Sequence, residues 1–206
     1  YSFSSIMSTQ NGSPPRMRGK LFFSLEQSRL ELVSKSFARI MARKDRATAL
    51  SSLAIRKGAA PAGLADAVEK YKQDIGERLS IIEGNFGCNV SFIGDYVRDY
   101  IRRNECRPIV IVDYLQILQP ADDAKRLTAR ESIDNTVTAL KRISRELELT
   151  VIVISSVNRA NYLAPIDFES LKESGGIEYT ADVIWGLQLQ CLNEALFDDP
   201  QKKLKE

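Results

Sequence analysis

The sequence Ile109-Val110-Ile111-Val112-Asp113 sets the class of fold, because it is an unbroken run of β-branched residues that ends in a carboxylate. A second run, Val151-Ile152-Val153-Ile154, has the same character and is followed by Ser155-Ser156. Apolar runs without alternation are expected for strands that are covered on both faces, as in the middle of a parallel sheet. These two runs therefore predict buried parallel strands, each followed by polar residues.

Shorter apolar runs predict three further strands, and helical patterns separate them. The predicted strands are residues 21–25, 79–82, 109–112, 151–154 and 183–189. Amphipathic spacing predicts helices over residues 26–42, 93–101 and 130–147. Strands that alternate with such helices indicate βαβ units, so we predict an α/β fold with a mostly parallel central sheet flanked by helices. We expect residues 1–206 to form a single domain, with residues 194–206 as a peripheral helix or tail.

The composition is that of an ordinary globular protein, and it excludes several kinds of site. The 206 residues are 44% hydrophobic and 27% charged, and their net charge of +2 gives no global indication of nucleic-acid binding. The chain has no histidine, which excludes Ser-His and Cys-His nucleophilic pairs and His-based metal motifs. Any chemistry is therefore expected to depend on carboxylates, Lys or Arg, hydroxyls and a hard cation such as Mg²⁺.

The cysteines and the apolar runs bear on location. Cys88, Cys106 and Cys191 have no CxxC spacing, so we expect reduced thiols rather than a disulfide framework or a zinc ribbon. No apolar run approaches the length of about 18 residues that a membrane span needs. The N-terminus has no basic start followed by an apolar stretch, so no signal peptide is expected. These features predict a cytoplasmic protein.

Polar residues that follow three of the predicted strands form the candidate site. Glu26 comes after the first strand, Asp113 after the third, and Ser155 and Ser156 after the fourth. Ligands of open α/β sheets bind outside the carboxyl ends of the strands, so we expect these residues to gather at one edge. Asp113 suits Mg²⁺ beside phosphates, a second carboxylate can polarise a water molecule, and hydroxyls can contact phosphate.

Each of these residues also has a structural interpretation. Asp113 stands where a strand commonly gives way to a turn. Glu26 can begin a helix, where a carboxylate in the first turn complements the helix dipole. Ser155 and Ser156 can simply close a strand. Taken alone, the residues leave the structural and the functional interpretations open.

Four motifs make the sequence recognisable at the level of a family. Together they resemble, in the same order, the C-terminal RecA-like ATPase domain of DnaB-like replicative DNA helicases. The matching stretches are residues 21–26 (LFFSLE), 109–116 (IVIVDYLQ), 151–159 (VIVISSVNR) and 171–178 (LKESGGIE), the last followed by Ala181-Asp182.

The resemblance implies a P-loop NTPase core that uses ATP and Mg²⁺. Glu26 would be the catalytic base that activates water, and Asp113 would hold Mg²⁺ through its water shell. Ser155, Ser156 and Arg159 would be nucleotide contacts, although Arg159 is equally suited to bracing the loop.

The resemblance also implies a nucleic-acid partner and an assembly. Lys172, Glu173 and Gly175 match the loop that tracks the phosphates of single-stranded DNA, whereas Ser174-Gly175-Gly176 without its flanks would be a plain turn. Such contact would be independent of sequence and sensitive to salt. The complete protein would form a ring, such as a hexamer, with a helicase loader or primase as further partners.

Three departures from the family pattern affect the expected activity. Nothing fits GxxxxGK[ST], and residues 1–9 resemble the helix that follows that loop. Ser156 occupies the position of a longer Gln, and the basic finger of the family would lie beyond Glu206. We therefore expect the chain as written to bind ATP poorly and to hydrolyse it hardly at all.

Two alternative functions are compatible with the same features. One is a recombination ATPase of the RadA or RecA type, which the match at residues 113–116 and 174–178 disfavours. The other is a non-catalytic RecA-like module that binds DNA or a helicase, which the missing P-loop and Ser156 support.

Overall fold

The structure, a computed structural model, describes residues 19–84, 88–119, 127–157, 166, 170–171 and 176–187. Its centre is a parallel sheet of four strands in the order β2-β1-β3-β4. The strands are β1 (Lys20–Ser24), β2 (Leu79–Glu83), β3 (Ile109–Asp113) and β4 (Val151–Val153). The helices are α1 (Arg29–Lys44), α2 (Ser52–Arg56), α3 (Leu64–Asp74), α4 (Val90–Asn104), α5 (Ala129–Glu146) and α6 (Gly176–Thr180). The prediction of an α/β fold with a parallel sheet is confirmed.

The hydrophobic core lies on one face of the sheet. Alternate residues of the two central strands point to that face and are 0% exposed, namely Leu21, Phe23, Val110 and Val112. Helices α4 and α5 cover them with their own buried apolar residues, which include Ile93, Val97, Leu140 and Ile143. The predicted amphipathic stripes of these helices are therefore the surfaces that build the core.

Phe23 is the largest buried side chain of this core. Its ring makes edge-to-face contacts with Tyr96 at a centroid distance of 5.6 Å and with Phe92 at 6.4 Å. Both partners lie on α4, so Phe23 ties the central strand β1 to that helix. Aromatic pairs in this geometry add to the stabilisation that burial alone provides.

The opposite face of the sheet is only half-buried among the described residues. Ile81, Phe22, Ile111 and Ile152 are paired across the four strands in one row of the register, and each is partly exposed. The sequence predicts cover on both faces of the sheet. Among the described residues, only the face that carries the core is fully covered. In the part of the chain that the structure describes, the second face carries apolar side chains without comparable cover.

Helix α1 begins later than the sequence prediction, and the cause is a capping box. Ser28 Oγ accepts from the backbone N–H of Glu31, and the Glu31 carboxylate accepts from the N–H of Ser28. This reciprocal pair satisfies two of the free N–H groups at the helix start. Glu26 precedes the cap, so the interpretation of Glu26 as a first-turn residue of the helix is wrong.

The predicted fifth strand is not formed over its described part. Residues 183–187 have no regular structure, and Val183, Trp185 and Leu187 are 68%, 83% and 95% exposed. A strand needs a neighbour for its backbone hydrogen bonds, and no strand pairing involves residues 183–187 among the described residues. Residues 188–189 and the predicted tail at 194–206 lie outside the described residues.

The described helices include none that is both long enough and apolar enough to cross a bilayer. Cys88 is buried and Cys106 is half-buried, and both are free thiols. Burial raises the pKa of the Cys88 thiol, which keeps it protonated near neutral pH. Cys191 lies outside the described residues.

Neighbouring phenylalanines test the one-sided core. We expect Phe23→Ala to lower the free energy of unfolding by about 3–5 kcal/mol, because it leaves a cavity and removes two ring contacts. Phe22→Ala, on the half-buried face, should cost about half as much or less, since less apolar area returns to water. Urea unfolding of both variants measures the difference, and equal costs would contradict the one-sided burial.

Candidate functional site

Backbone hydrogen bonds carry the register of the sheet past the ends of its strands. The N–H of Leu25 donates to the carbonyl of Asp113 at 2.8 Å, and the N–H of Gly84 donates to the carbonyl of Ser24 at 2.8 Å. On the other side, the N–H of Leu115 donates to the carbonyl of Ile154 at 2.9 Å. The segments that follow β1, β3 and β4 are therefore held side by side at one edge, as the sequence predicted.

Gly84 allows this edge to close tightly. A Cβ atom at Gly84 would lie 2.3 Å from Cδ2 of Leu25 and 3.3 Å from Cβ of Cys88. A side chain here would have to displace the end of the Leu25 side chain and press on Cys88, so glycine lets these segments pack closely without a shift.

Glu26 lies in the bend between β1 and α1, and its carboxylate is exposed. The buried hydroxyl of Ser24 donates to the carbonyl of Gln27 at 2.6 Å, which fixes the bend from inside. The N–H of Arg29 donates to the Glu83 carboxylate at 2.7 Å, which fixes it from β2. The backbone around Glu26 is thus held on both sides while its side chain is left available to a ligand.

Asp113 is the last residue of β3 and is half-buried. Burial raises the pKa of its carboxyl, the negative charge of Glu26 raises it further, and the positive charge of Lys35 partly opposes them. The two carboxylates are therefore close enough to repel one another, which is the arrangement a bound cation relieves. None of the described Lys and Arg side chains forms an ion pair with Asp113. The peptide bond after it, to Tyr114, is cis.

The donor set fits Mg²⁺ better than a metal with a full protein cage. Within the described ranges there is no group of three or more Cys, Asp and Glu side chains that could enclose a metal ion. Mg²⁺ characteristically uses one or two carboxylates and completes its shell with water and substrate phosphates. Asp113, with Glu26 nearby, provides that kind of partial site.

Ser155 and Ser156 follow β4 and are joined to the loop after Asp113 by one side chain. Nε2 of Gln116 donates to Oγ of Ser155 at 2.8 Å, and the N–H of Ser156 donates to Oε1 of Gln116 at 3.3 Å. Gln116 was not among the predicted site residues. The only sequence signal for it is its place in the Asp-Tyr-Leu-Gln motif, from which no role for the Gln was predicted.

The remaining predicted site residues lie outside the described residues. These are the nucleotide contact Arg159 and the DNA contacts Lys172, Glu173 and Gly175. The segment directly after them is described, and it begins α6 at Gly176.

Helix α6 and the residues that follow it are attached to α5 at two points. The N–H of Gly176 donates to the Asp134 carboxylate at 3.1 Å, and Nζ of Lys141 donates to Asp182 at 2.5 Å. Between them, Ile177 packs against the core. The chain immediately after the predicted DNA loop is therefore fixed to a core helix.

Comparison with known proteins agrees with this architecture. The family described as DnaB-like helicase C terminal domain matches residues 4–201. The replicative DNA helicase DnaB of Rickettsia prowazekii is 26% identical over 167 residues, which cover 79% of this chain and 32% of the relative. The DnaB of Leifsonia xyli is 37% identical over 82 residues, which cover 37% of this chain and 17% of the relative. The chain thus spans about a third or less of the length of these curated relatives.

Two solved structures share the fold. One is an ATPase domain, which superposes with a TM-score of 0.65 at 26% identity and covers 80% of this chain and 57% of that one. A DnaB-like replicative helicase, solved in a study of its interactions with primase, gives a TM-score of 0.61 at 26% identity over 80% of this chain and 40% of that one. The sheet is therefore the core of a RecA-like ATPase domain, and the family match over residues 4–201 shows that the chain belongs to the DnaB-like helicase C-terminal domain family.

Proposed function

We propose that this chain is the motor domain of a DnaB-like DNA helicase, which couples ATP hydrolysis to movement along single-stranded DNA and to duplex unwinding. The observation that carries the proposal is the pair of carboxylates at one edge of a RecA-like sheet, with Glu26 exposed and Asp113 half-buried. The family membership supports the same function. Because the chain spans about a third of its relatives, the activity belongs to the intact protein that contains these residues.

Each residue of the edge has a chemical task in this proposal. Glu26 accepts a proton from the water that attacks the terminal phosphate, since its carboxylate is exposed and carries no helix-capping role. Asp113 would hold Mg²⁺, and the ion would supply neutralisation of the charge on the phosphates. Ser155, Ser156 and Arg159 contact the nucleotide.

The proposed DNA contacts come directly before α6 in the sequence. Lys172, Glu173 and Gly175 would contact the phosphates of one strand, in a loop that ends where α6 is fixed to α5. Copies of the protein would form a ring, such as a hexamer, with single-stranded DNA at its centre, in the cytoplasm. A primase or helicase loader is the expected further partner, and a related helicase has been solved in a study of its interactions with primase.

A non-catalytic DNA- or helicase-binding module is the second candidate. Ser156 favours it, because its side chain is shorter than the Gln of the family and its backbone N–H is already bonded to Gln116. A recombination ATPase is disfavoured by the family match. ATP hydrolysis by the intact protein would distinguish the motor domain from the non-catalytic binding module.

Removing the proposed base should stop turnover. We expect Glu26→Gln to lower ATP hydrolysis by the intact protein, measured as phosphate release with single-stranded DNA, by about 100-fold or more. The matched control is Glu83→Gln at the end of the adjacent strand, which keeps an acceptor for the N–H of Arg29 and should retain near-normal turnover. Equal activity of the two variants would remove Glu26 from the mechanism, and no turnover by the unmodified protein would favour the binding module.

Removing a proposed phosphate contact should weaken DNA binding in a salt-dependent way. For Lys172→Ala we expect weaker binding of single-stranded DNA of any sequence. The slope of log K against the logarithm of the salt concentration should become shallower by about one unit or less, since one phosphate contact is lost. Lys70→Ala serves as control, because Lys70 forms an exposed ion pair with Asp74 on α3. Fluorescence anisotropy titrations at several salt concentrations give both slopes, and identical slopes would argue against the loop.

The attachment of α6 gives a more specific expectation. Asp134→Ala removes the acceptor for the N–H of Gly176, so we expect DNA affinity to fall about three- to tenfold, on the scale of one hydrogen bond. Asp134→Asn keeps a carbonyl oxygen at that position and should restore most of the affinity. ATP hydrolysis without DNA should change little in either variant. A loss in Asp134→Ala that Asn does not restore would count against the attachment as the cause.

A further inference from the structure

Gln116 stands between the loop that follows Asp113 and the residues that follow β4. It lies in a 3-10 turn over Leu115–Ile117, directly after Asp113 and Tyr114. Its amide group makes two hydrogen bonds, one to Ser155 and one to Ser156. All three residues are half-buried, so these bonds form at the rim of the edge rather than in the core.

The backbone decides which way the Gln116 amide is oriented. The main-chain N–H of Ser156 can only donate, so the group that faces it is the carbonyl oxygen Oε1, at 3.3 Å. The NH₂ group of Gln116 then faces Oγ of Ser155, at 2.8 Å. Because an NH₂ group can only donate, the Ser155 hydroxyl is an acceptor in this bond.

The proton of the Ser155 hydroxyl is consequently directed elsewhere. Within the part of the chain that the structure describes, its acceptor is the carbonyl oxygen of Ser156 at 3.4 Å. That separation is well beyond the usual 2.5–3.0 Å of an O–H···O hydrogen bond, so the bond is weak. The Ser155 hydroxyl therefore already accepts a hydrogen bond from Gln116, and its own proton can be donated to a stronger acceptor than the Ser156 carbonyl.

We propose that Gln116 is a positioning residue that holds the Ser155 hydroxyl as a hydrogen-bond donor to a phosphate oxygen of bound ATP. The inference rests on the proposed function, because the phosphate is that of the nucleotide at this edge. Phosphate oxygens accept strongly and cannot donate, so they suit a hydroxyl whose proton has only a weak acceptor among the described residues. The side chain of Ser156 is shorter than the Gln of the family. In its place, Gln116 orients the Ser155 hydroxyl as the hydrogen-bond donor to the phosphate.

The test compares Gln116→Glu with Ser155→Ala in the intact protein. A carboxylate at position 116 accepts from the N–H of Ser156 as before, but it also accepts from the Ser155 hydroxyl and so reverses the direction of that bond. We expect both variants to raise the KM for ATP by about tenfold, the scale of one lost hydrogen bond to a charged group, with a smaller effect on kcat.

The double variant separates positioning from simple charge repulsion. The new negative charge of Gln116→Glu can repel phosphates by itself, and that effect would multiply with the loss in Ser155→Ala. If Gln116 acts through Ser155, the double variant has the KM of Ser155→Ala alone, because the hydroxyl is already gone. Gln119→Glu adds the same charge three residues further along the chain, where the bonds among the described residues are to the backbone of Gln119, and should leave the KM near normal.

The outcomes distinguish the inference from the function on which it rests. A normal KM for Gln116→Glu, or multiplicative losses in the double variant, would overturn the positioning role while turnover by the unmodified protein upholds the motor. Hydrogen exchange at the N–H of Ser156 should be unchanged in Gln116→Glu relative to the unmodified protein, which would show that the loop itself is intact. Absence of turnover in the unmodified protein would overturn the proposed function, and the inference with it.

Discussion

The candidate site depends on the parallel register of the sheet being extended one step beyond the strands. In a parallel sheet equivalent ends lie side by side, and here the backbone bonds from Leu25 to Asp113 and from Leu115 to Ile154 continue that alignment. The positions of Glu26 and Asp113 therefore follow from main-chain bonds, and their carboxylates are not needed to hold the fold. This leaves Asp113 half-buried beside a like charge, a costly arrangement that a cation at the edge would relieve.

Much of the fold could be predicted because its signals are local. Four of the five predicted strands are short, mainly apolar runs, and each is present close to its predicted position. The edge that gathers Glu26, Asp113 and the two serines followed from the parallel arrangement alone. The start of α1 also has a local signal, since Ser28 and Glu31 have the spacing of a capping box, whereas the apolar stripe alone extends the helix back to Glu26.

The features that could not be predicted depend on partners far away in the chain. Residues 183–187 have the composition of a strand, but strand formation requires a neighbour, and composition says nothing about whether one is present. The contacts of Gln116 also depend on distant residues, because its side chain can bond Ser155 and Ser156 only when the ends of β3 and β4 lie side by side. The half-buried second face escaped prediction for a related reason, since an unbroken apolar run does not distinguish a strand covered on both faces from one covered fully on one.

Helix α5 connects the two regions that the proposed function requires to act together. Its buried residues, including Leu140 and Ile143, fix it against the core face of the sheet, and its C-terminal end leads through Leu149 into β4 and so to Ser155. The same helix holds α6, which follows the proposed DNA loop, through Asp134.

The two attachments of α6 to α5 differ in strength. The pair between Lys141 and Asp182 is largely open to solvent on the Asp182 side, which is 83% exposed, and exposed ion pairs contribute little. The bond from Gly176 to Asp134 is partly buried and leaves no room for a side chain, because a Cβ atom at Gly176 would lie 2.3 Å from Oδ1 of Asp134. A displacement of the edge would therefore reach the proposed DNA loop mainly through Gly176, the first residue after that loop.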